Sequence, residues 1–373
     1  MLNTKLRVLV VDDTIVYRKV VSDILSELPG VEVVGVAHNG KIAISKIKSL
    51  KPDLLTLDIE MPVMNGLEVL AELKKNYPKT GAIMLSTLTD DGSFMTMKAL
   101  ELGAFDFILK PQSTTQQEGK NAIKQALAPI LTAFSRSQNK TVGRKPFVAQ
   151  RQRTVLQKKT AVSRPSADGS TKTSKTEGQR RGKSEIVTIG ISTGGPNALT
   201  QMLPMLPGDL GVPVVIVQHM PPVFTKSLAN SLNGKCALNI KEAQEGEPIL
   251  ANTVYIAPGG KQMKLVAGLD GSKRLIKLTN DPPENSCRPS ADYLFRSVGD
   301  YYVGRATAVI MTGMGSDGTR GLEVLKNKGA FIIAQNEATC VVYGMPKTPV
   351  ESGMANIVVP LNKIAGEITK TIR

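Results

Sequence analysis

Apolar residues in the first 115 positions come in short runs separated by amphipathic stretches: LRVLVVDD, VEVVGVA, DLLTLDI, GAIMLST and FDFILKP. Short apolar runs with helical spacing between them predict a five-stranded parallel sheet flanked by helices. The same rhythm resumes from residue 185, with EIVTIGI, VPVVIVQHM, TVYIAPG, RATAVIMTG and AFIIAQ. Between the two, GKNAIKQALAPILTAF (119–134) keeps helical spacing despite Pro129. Residues 139–184 are rich in Lys, Arg, Gln, Ser and Thr and poor in large apolar side chains. Such a stretch cannot bury enough surface to order itself, so a flexible linker is expected. The expected organisation is a domain at 1–115, a helix and basic linker at 116–184, and a second domain at 185–373. A length of 373 residues suits two domains. The halves share a fold class but no motif, and there is no internal repeat.

Charge changes this picture little. The formal net charge of +15 first suggests nucleic acid as a partner. Residues 139–184, however, hold 13 Lys or Arg against Asp168 and Glu177, so they carry +11 and leave +4 elsewhere. Neither folded region is strongly basic, and no specific nucleic-acid partner is expected. Cys236, Cys287 and Cys340 show neither metal nor redox spacing, which fits a reducing compartment. The apolar run near the N-terminus is short and ends in two acids, as a buried strand does and a signal peptide does not. No segment approaches the roughly 20 apolar residues of a membrane helix. The chain is expected to be soluble and cytoplasmic, with no membrane insertion.

In the first region, chemistry collects at strand ends. Asp12 and Asp13 close the first strand, Asp58 the third, Ser86 the fourth and Lys110 the fifth. Open parallel sheets bind ligands beyond the carboxyl ends of their strands, so these side chains converge at one edge. Clustered carboxylates repel unless a hard cation joins them, and oxygen donors suit Mg²⁺. Asp58 would accept a phosphoryl group, with Lys110 and the Ser86 hydroxyl holding its oxygens. A single strand-end Asp is more often a helix cap; the full set of Asp12, Asp13, Asp58, Ser86 and Lys110, each at a strand end, argues against that. The region resembles the response-regulator receiver family in its DD pair, the D-x-x-M-P stretch from Asp58, the hydroxyl at Ser86 and the Lys110-Pro111 pair. Phe107 falls at that family's aromatic switch position, although taken alone it reads as core.

In the second region, GISTGG (Gly190–Gly195) follows an apolar strand and contains G-x-S-x-G, with Ser192 on a tight strand-to-helix turn. A Gly-rich phosphate loop is a fair rival reading. The chain has two histidines. His38, in VAHNGK, reads as a surface loop residue. His219 ends the next strand and is the one imidazole available here, so if Ser192 is a nucleophile, His219 must be its base. VIMTGMGSDG (309–318) supplies Asp317 to orient it. The same segment spells G-x-G-x-x-G, but an Asp inside that loop would repel a pyrophosphate. The order Ser…His…Asp differs from the Ser…Asp…His of α/β-hydrolases.

The order and the motifs resemble the chemotaxis protein-glutamate methylesterase (CheB) family: GxSTGG, QHMPP, YIAPG, RPS-x-D-x-LF, TGMGxDG and AQNEATCVV-x-GMP all occur in sequence. The resemblance implies a flavodoxin-like receiver domain and a doubly wound, mostly parallel, Rossmann-like esterase domain, both α/β. It implies Ser192 as nucleophile, His219 as general base and then acid, and Asp317 as its orienter. It also implies an oxyanion hole from the N–H groups of Thr193 and Met314, such donors contributing about 3 kcal/mol each. The implied reaction is hydrolysis of glutamyl methyl esters on chemoreceptors, with methanol released, together with deamidation of receptor glutamines. Mg²⁺ would serve the receiver, no cofactor the esterase, and a chemotaxis histidine kinase would be the phosphodonor. Two departures are visible: Ile191 stands where the family has Ala, and the linker is unusually basic. Arg288, in CRPSAD, is a candidate for contacting the acidic substrate segment, with a structural ion pair an equal alternative. Met220 and Met314 read as pocket lining or core.

Two other outputs fit the sequence less well. A DNA-binding output has the basic linker in its favour, but the second half alternates βα and is far larger than a helix-turn-helix. A nucleotide-binding output would use a Gly-rich loop, yet neither loop is followed by a P-loop Lys.

Overall fold

The computed structural model describes residues 5–111, 116–142, 182–269, 271 and 273–373. Most of the expected linker, 143–181, therefore lies outside the described residues.

The first half folds as β1 (Leu6–Val11), α1 (Ile15–Glu27), β2 (Val31–Ala37), α2 (Gly40–Leu50), β3 (Leu54–Asp58), α3 (Gly66–Asn76), β4 (Gly81–Ser86), α4 (Asp90–Leu102), β5 (Asp106–Leu109) and α5 (Gln116–Val142). Its five strands are all parallel, in the order β2-β1-β3-β4-β5. Central strands β1 and β3 are apolar nearly throughout because both faces are covered by helices. The helices start where side chains can cap them: Asn39 accepts from Ile42 N–H, Asn65 and Glu68 form a reciprocal box, and Thr89 accepts from Gly92 N–H. Helix α5 contains Pro129 and lays Ile123, Leu127, Ile130, Leu131 and Phe134 against Leu6, Val8 and Val10. Those positions form one helical stripe, so α5 belongs physically to the first domain, beyond the boundary at 115.

The second half contains β6 (Ile186–Ile191), α6 (Gly195–Met202), β7 (Val214–Gln218), α7 (Phe224–Asn233), β8 (Asn239–Glu242), β9 (Thr253–Ile256), β10 (Gln262–Ala267), β11 (Arg274–Thr279), α8 (Ala291–Tyr301), β12 (Ala306–Ile310), α9 (Thr319–Asn327), β13 (Phe331–Gln335), α10 (Lys347–Glu351), β14 (Ile357–Val359) and α11 (Leu361–Ile372). Seven parallel strands run β14-β13-β12-β6-β7-β9-β8. Strands β10 and β11 pair antiparallel as a separate hairpin. The fold is thus a mostly parallel, doubly wound α/β sheet. The order turns back on itself at β6, the position where such sheets build their sites. No described helix is long and apolar enough to cross a membrane.

The halves meet through α4 and β5 of the first and α6 and α7 of the second. Ser93 Oγ lies 2.6 Å from Ser227 Oγ, and Glu101 pairs with Lys235. Asn197 donates to the Ala104 carbonyl at 3.2 Å. Phe107 stacks on Phe224 with ring centroids 4.7 Å apart and planes 15° apart.

Candidate functional site

Ser192, His219 and Asp317 follow β6, β7 and β12, three adjacent strands, so the sheet delivers them to one edge. The Ser192 turn is held by its backbone. Its N–H donates to the Thr312 carbonyl at 3.0 Å, and its own carbonyl accepts from Gly195 N–H at 2.7 Å and from Gln218 Nε2 at 3.0 Å. Two glycines make this packing possible. A Cβ on Gly195 would stand 1.9 Å from Gln218 Oε1, and one on Gly313 would meet Met345 Sδ at 2.3 Å and Ser192 Cβ at 2.7 Å. Ile191 is fully buried beneath the turn.

The imidazole of His219 uses its two nitrogens in opposite ways. Nε2 lies 2.7 Å from Asp317 Oδ2, while Nδ1 faces Cys287 Sγ at 3.6 Å. Among the described residues no hydrogen bond joins Ser192 Oγ to the ring, so the structure brings His219 to Asp317 without yet closing the serine contact. Asp317 is buried and saturated. It accepts from Ser290 Oγ at 2.7 Å, Ala291 N–H at 2.6 Å, Asp292 N–H at 3.2 Å and Asn285 Nδ2 at 3.0 Å. Three of these donors belong to the start of α8, where unpaired N–H groups and the helix dipole favour an anion. Burial works against the Asp317 charge, but His219, Ser290 and Ala291 hold its carboxyl down at about 2. For His219 burial likewise opposes the charge, and the bonds to Asp317 and Cys287 outweigh it and push the ring up to about 9.

A cleft of about 420 Å³ opens beside the ring, lined among others by His219, Met220, Cys287 and Arg288. Arg288 is exposed, with Nη1 3.4 Å from the Asn280 carbonyl, and among the described residues it has no ion-pair partner. Thr193 and Met314 flank the Ser192 turn and the β12 loop. Among the described residues, neither N–H is hydrogen-bonded to another backbone group. His38 is an exposed loop residue.

At the carboxyl edge of the first sheet, Lys110 Nζ lies 2.7 Å from Asp58 Oδ2 and 2.9 Å from Asp12 Oδ2, above the Tyr17 ring. Asp12, Asp13 and Asp58 each bring a carboxylate oxygen within 4.8 Å of the others. One ammonium against three carboxylates leaves excess negative charge among hard oxygen donors, a set that fits a divalent cation such as Mg²⁺. Burial pushes Asp58 up to about 6, Lys110 opposing that and the neighbouring Asp12 and Asp13 adding to it. Ser86 does not point into this cluster. Its hydroxyl donates toward the Thr87 and Gly92 carbonyls at 3.2 and 3.3 Å and accepts from Thr96 Oγ1 at 2.7 Å, tying β4 to α4. The start of α4 thus holds the Ser86 hydroxyl through Gly92 and Thr96. Phe107 is turned to Phe224 of the second half.

Sequence reasoning missed Ser290, Asn285, Gln218 and Cys287. Ser290 could have been found, since P-S-x-D ahead of an apolar stripe is a helix-start pattern. The other three act through contacts across distant segments, which leave no local signal.

A family model described as CheB methylesterase matches residues 187–368, and one described as response regulator receiver domain matches 8–123. A Desulfotalea psychrophila protein named protein-glutamate methylesterase/protein-glutamine glutaminase is 61% identical over 99% of both chains. A Bacillus subtilis protein of the same name is 42% identical, again over 99% of each. A crystal structure of the Thermotoga maritima CheB methylesterase catalytic domain is 42% identical, with a TM-score of 0.49, covering 50% of this chain and 98% of that one.

Proposed function

This chain belongs to the protein-glutamate methylesterase/protein-glutamine glutaminase family, and on that premise we propose that it hydrolyses glutamyl methyl esters on the cytoplasmic helices of chemoreceptors and deamidates receptor glutamines. The observation that carries the reading is the His219–Asp317 pair, held at 2.7 Å at the edge of an open cleft one strand away from Ser192. With Nε2–H donating to Asp317, Nδ1 is the nitrogen left to act as base. Ser192 Oγ attacks the ester carbon while Nδ1 takes its proton. The oxyanion is met by the Thr193 and Met314 N–H groups, which among the described residues make no backbone hydrogen bond. Protonated His219 then gives its proton to the departing methoxide, and water hydrolyses the acyl-enzyme by the same exchange. Glutamine would follow the same route with ammonia leaving. Arg288, exposed at the rim and without an ion-pair partner among the described residues, is suited to an acidic stretch of substrate.

Asp58 is the proposed phosphoryl acceptor, supplied by a histidine kinase. Asp12, Asp13 and Asp58 would hold Mg²⁺, which when bound offsets the charge of the phosphoryl oxygens. Lys110 would pair with one of those oxygens, and Ser86 would reach another only by leaving α4. The deciding test is methanol release from methylated receptor membranes, with and without a small phosphodonor. Wild-type protein should release methanol and do so faster with the donor, and Ser192→Ala should release none. Turnover by Ser192→Ala would overturn the nucleophile assignment.

A further inference from the structure

His219 Nδ1, the nitrogen assigned above to Ser192, faces Cys287 Sγ at 3.6 Å, while Nε2 holds Asp317 at 2.7 Å. Thiol, imidazole and carboxylate therefore form one cluster, a donor atom of each within 4.8 Å of the others, and an imidazole beside a thiol can take its proton. The sulfur lines the open cleft and is partly exposed. Arg288, exposed, is the next residue along the chain. The other two thiols lack such surroundings: Cys340 is buried against the Gln335 carbonyl, and burial pushes Cys236 up to about 11.

We propose that Cys287 is an oxidation site for hydroperoxides, whose modification closes the esterase cleft; the closing effect, though not the site, rests on the serine-esterase reading. In the step, the Cys287 thiolate sulfur attacks one peroxide oxygen and the O–O bond breaks. Sulfur is oxidised to the sulfenic acid and the peroxide reduced. The departing hydroxide takes the proton held by His219 and leaves as water. The added oxygen then stands beside Nδ1, the nitrogen that the proposed mechanism assigns to Ser192. A thiol reductant reverses the step.

The test uses full-length protein with hydrogen peroxide and a sulfenic-acid trap, read by peptide mass and by hydrolysis of a small ester. Cys287, which lines the open cleft beside His219, should be trapped about tenfold or more faster than Cys236, which burial pushes up to about 11. Ester hydrolysis should fall in step and return with dithiothreitol when the trap is omitted. Cys287→Ser should keep its own starting rate, whatever that is, under the same peroxide. Trapping first at Cys236, or loss of activity in Cys287→Ser at the wild-type rate, would overturn the proposal. Two variants separate it from the esterase reading, because neither needs turnover. Ser192→Ala should alkylate at Cys287 with iodoacetamide as fast as wild type at pH 7. His219→Gln should do so about tenfold more slowly, and an unchanged rate there would show that the imidazole does not activate the thiol.

Discussion

At the scale of single residues, the His219–Asp317 pair sets a specific pH behaviour. An imidazole pushed up to about 9 holds both protons at neutral pH and cannot take another from Ser192. Hydrolysis of a small neutral ester should therefore climb about tenfold per pH unit below that value and level off above it. Stability should run the other way. The folded value lies above the ordinary 6.5, so the pair's contribution is fully present below about pH 6.5 and is lost as pH rises through about 9. Parallel activity and thermal-melt profiles across pH 6–10 check both. Asp317→Asn should lower the plateau by about 10³–10⁴ and move the rise to lower pH, because the bond that most raises the ring is gone. A variant with the lower plateau but an unmoved rise would show that another group titrates. Ser192, His219 and Asp317 were legible in the sequence because each sits next to a glycine turn or a strand end. The carboxylate's dependence on the start of α8 was not, because donors from residues 285–292 meet it only once β12 and α8 pack.

At the scale of elements, α4 joins the two chemistries. Its first two turns hold Ser86 through Gly92 and Thr96, and its outer face carries Ser93 to Ser227 and Glu101 to Ser231 on α7. A phosphoryl group on Asp58 that captured Ser86 would break those bonds and loosen the face on which α7 rests. Ser86→Ala should then keep the basal rate of the unphosphorylated protein but lose most of its response to a phosphodonor. Full stimulation of that variant would place the signal elsewhere. Glu101→Lys sets two ammonium groups against each other at an exposed contact, where pairs are worth about 0–1 kcal/mol. It should raise basal hydrolysis about two- to fivefold in full-length protein and leave it unchanged in a fragment of residues 185–373. Ten strands were legible as apolar runs. The edge strand β8 and the β10–β11 hairpin were not, because with one neighbour or one covered face they carry mixed polar and apolar residues, and the edge strand β14 was not because it is only three residues, IVV.

At the scale of the molecule, the first half rests on α6 and α7, the helices that directly follow the Ser192 turn and the His219 strand. A tether keeps that contact re-forming even if it is weak. The fragment 185–373 should therefore exceed unphosphorylated full-length protein, by up to about a hundredfold if about 1% of molecules are open. Equal rates would mean that the receiver only stimulates. Two domains could be read from the alternation of apolar runs and the basic stretch between them. Which faces meet could not, because Phe107 and Phe224 look like ordinary core residues until the halves are placed side by side. The order of the halves along the chain carries a consequence for synthesis. All five strands of the first sheet, and α4 with them, are complete by residue 109. Residues 110–233 follow at about 5–20 per second, so α7 emerges several seconds or more later. The surface that meets α7 is therefore in place before α7 exists, so if that contact restrains the enzyme, each new molecule should leave the ribosome already restrained.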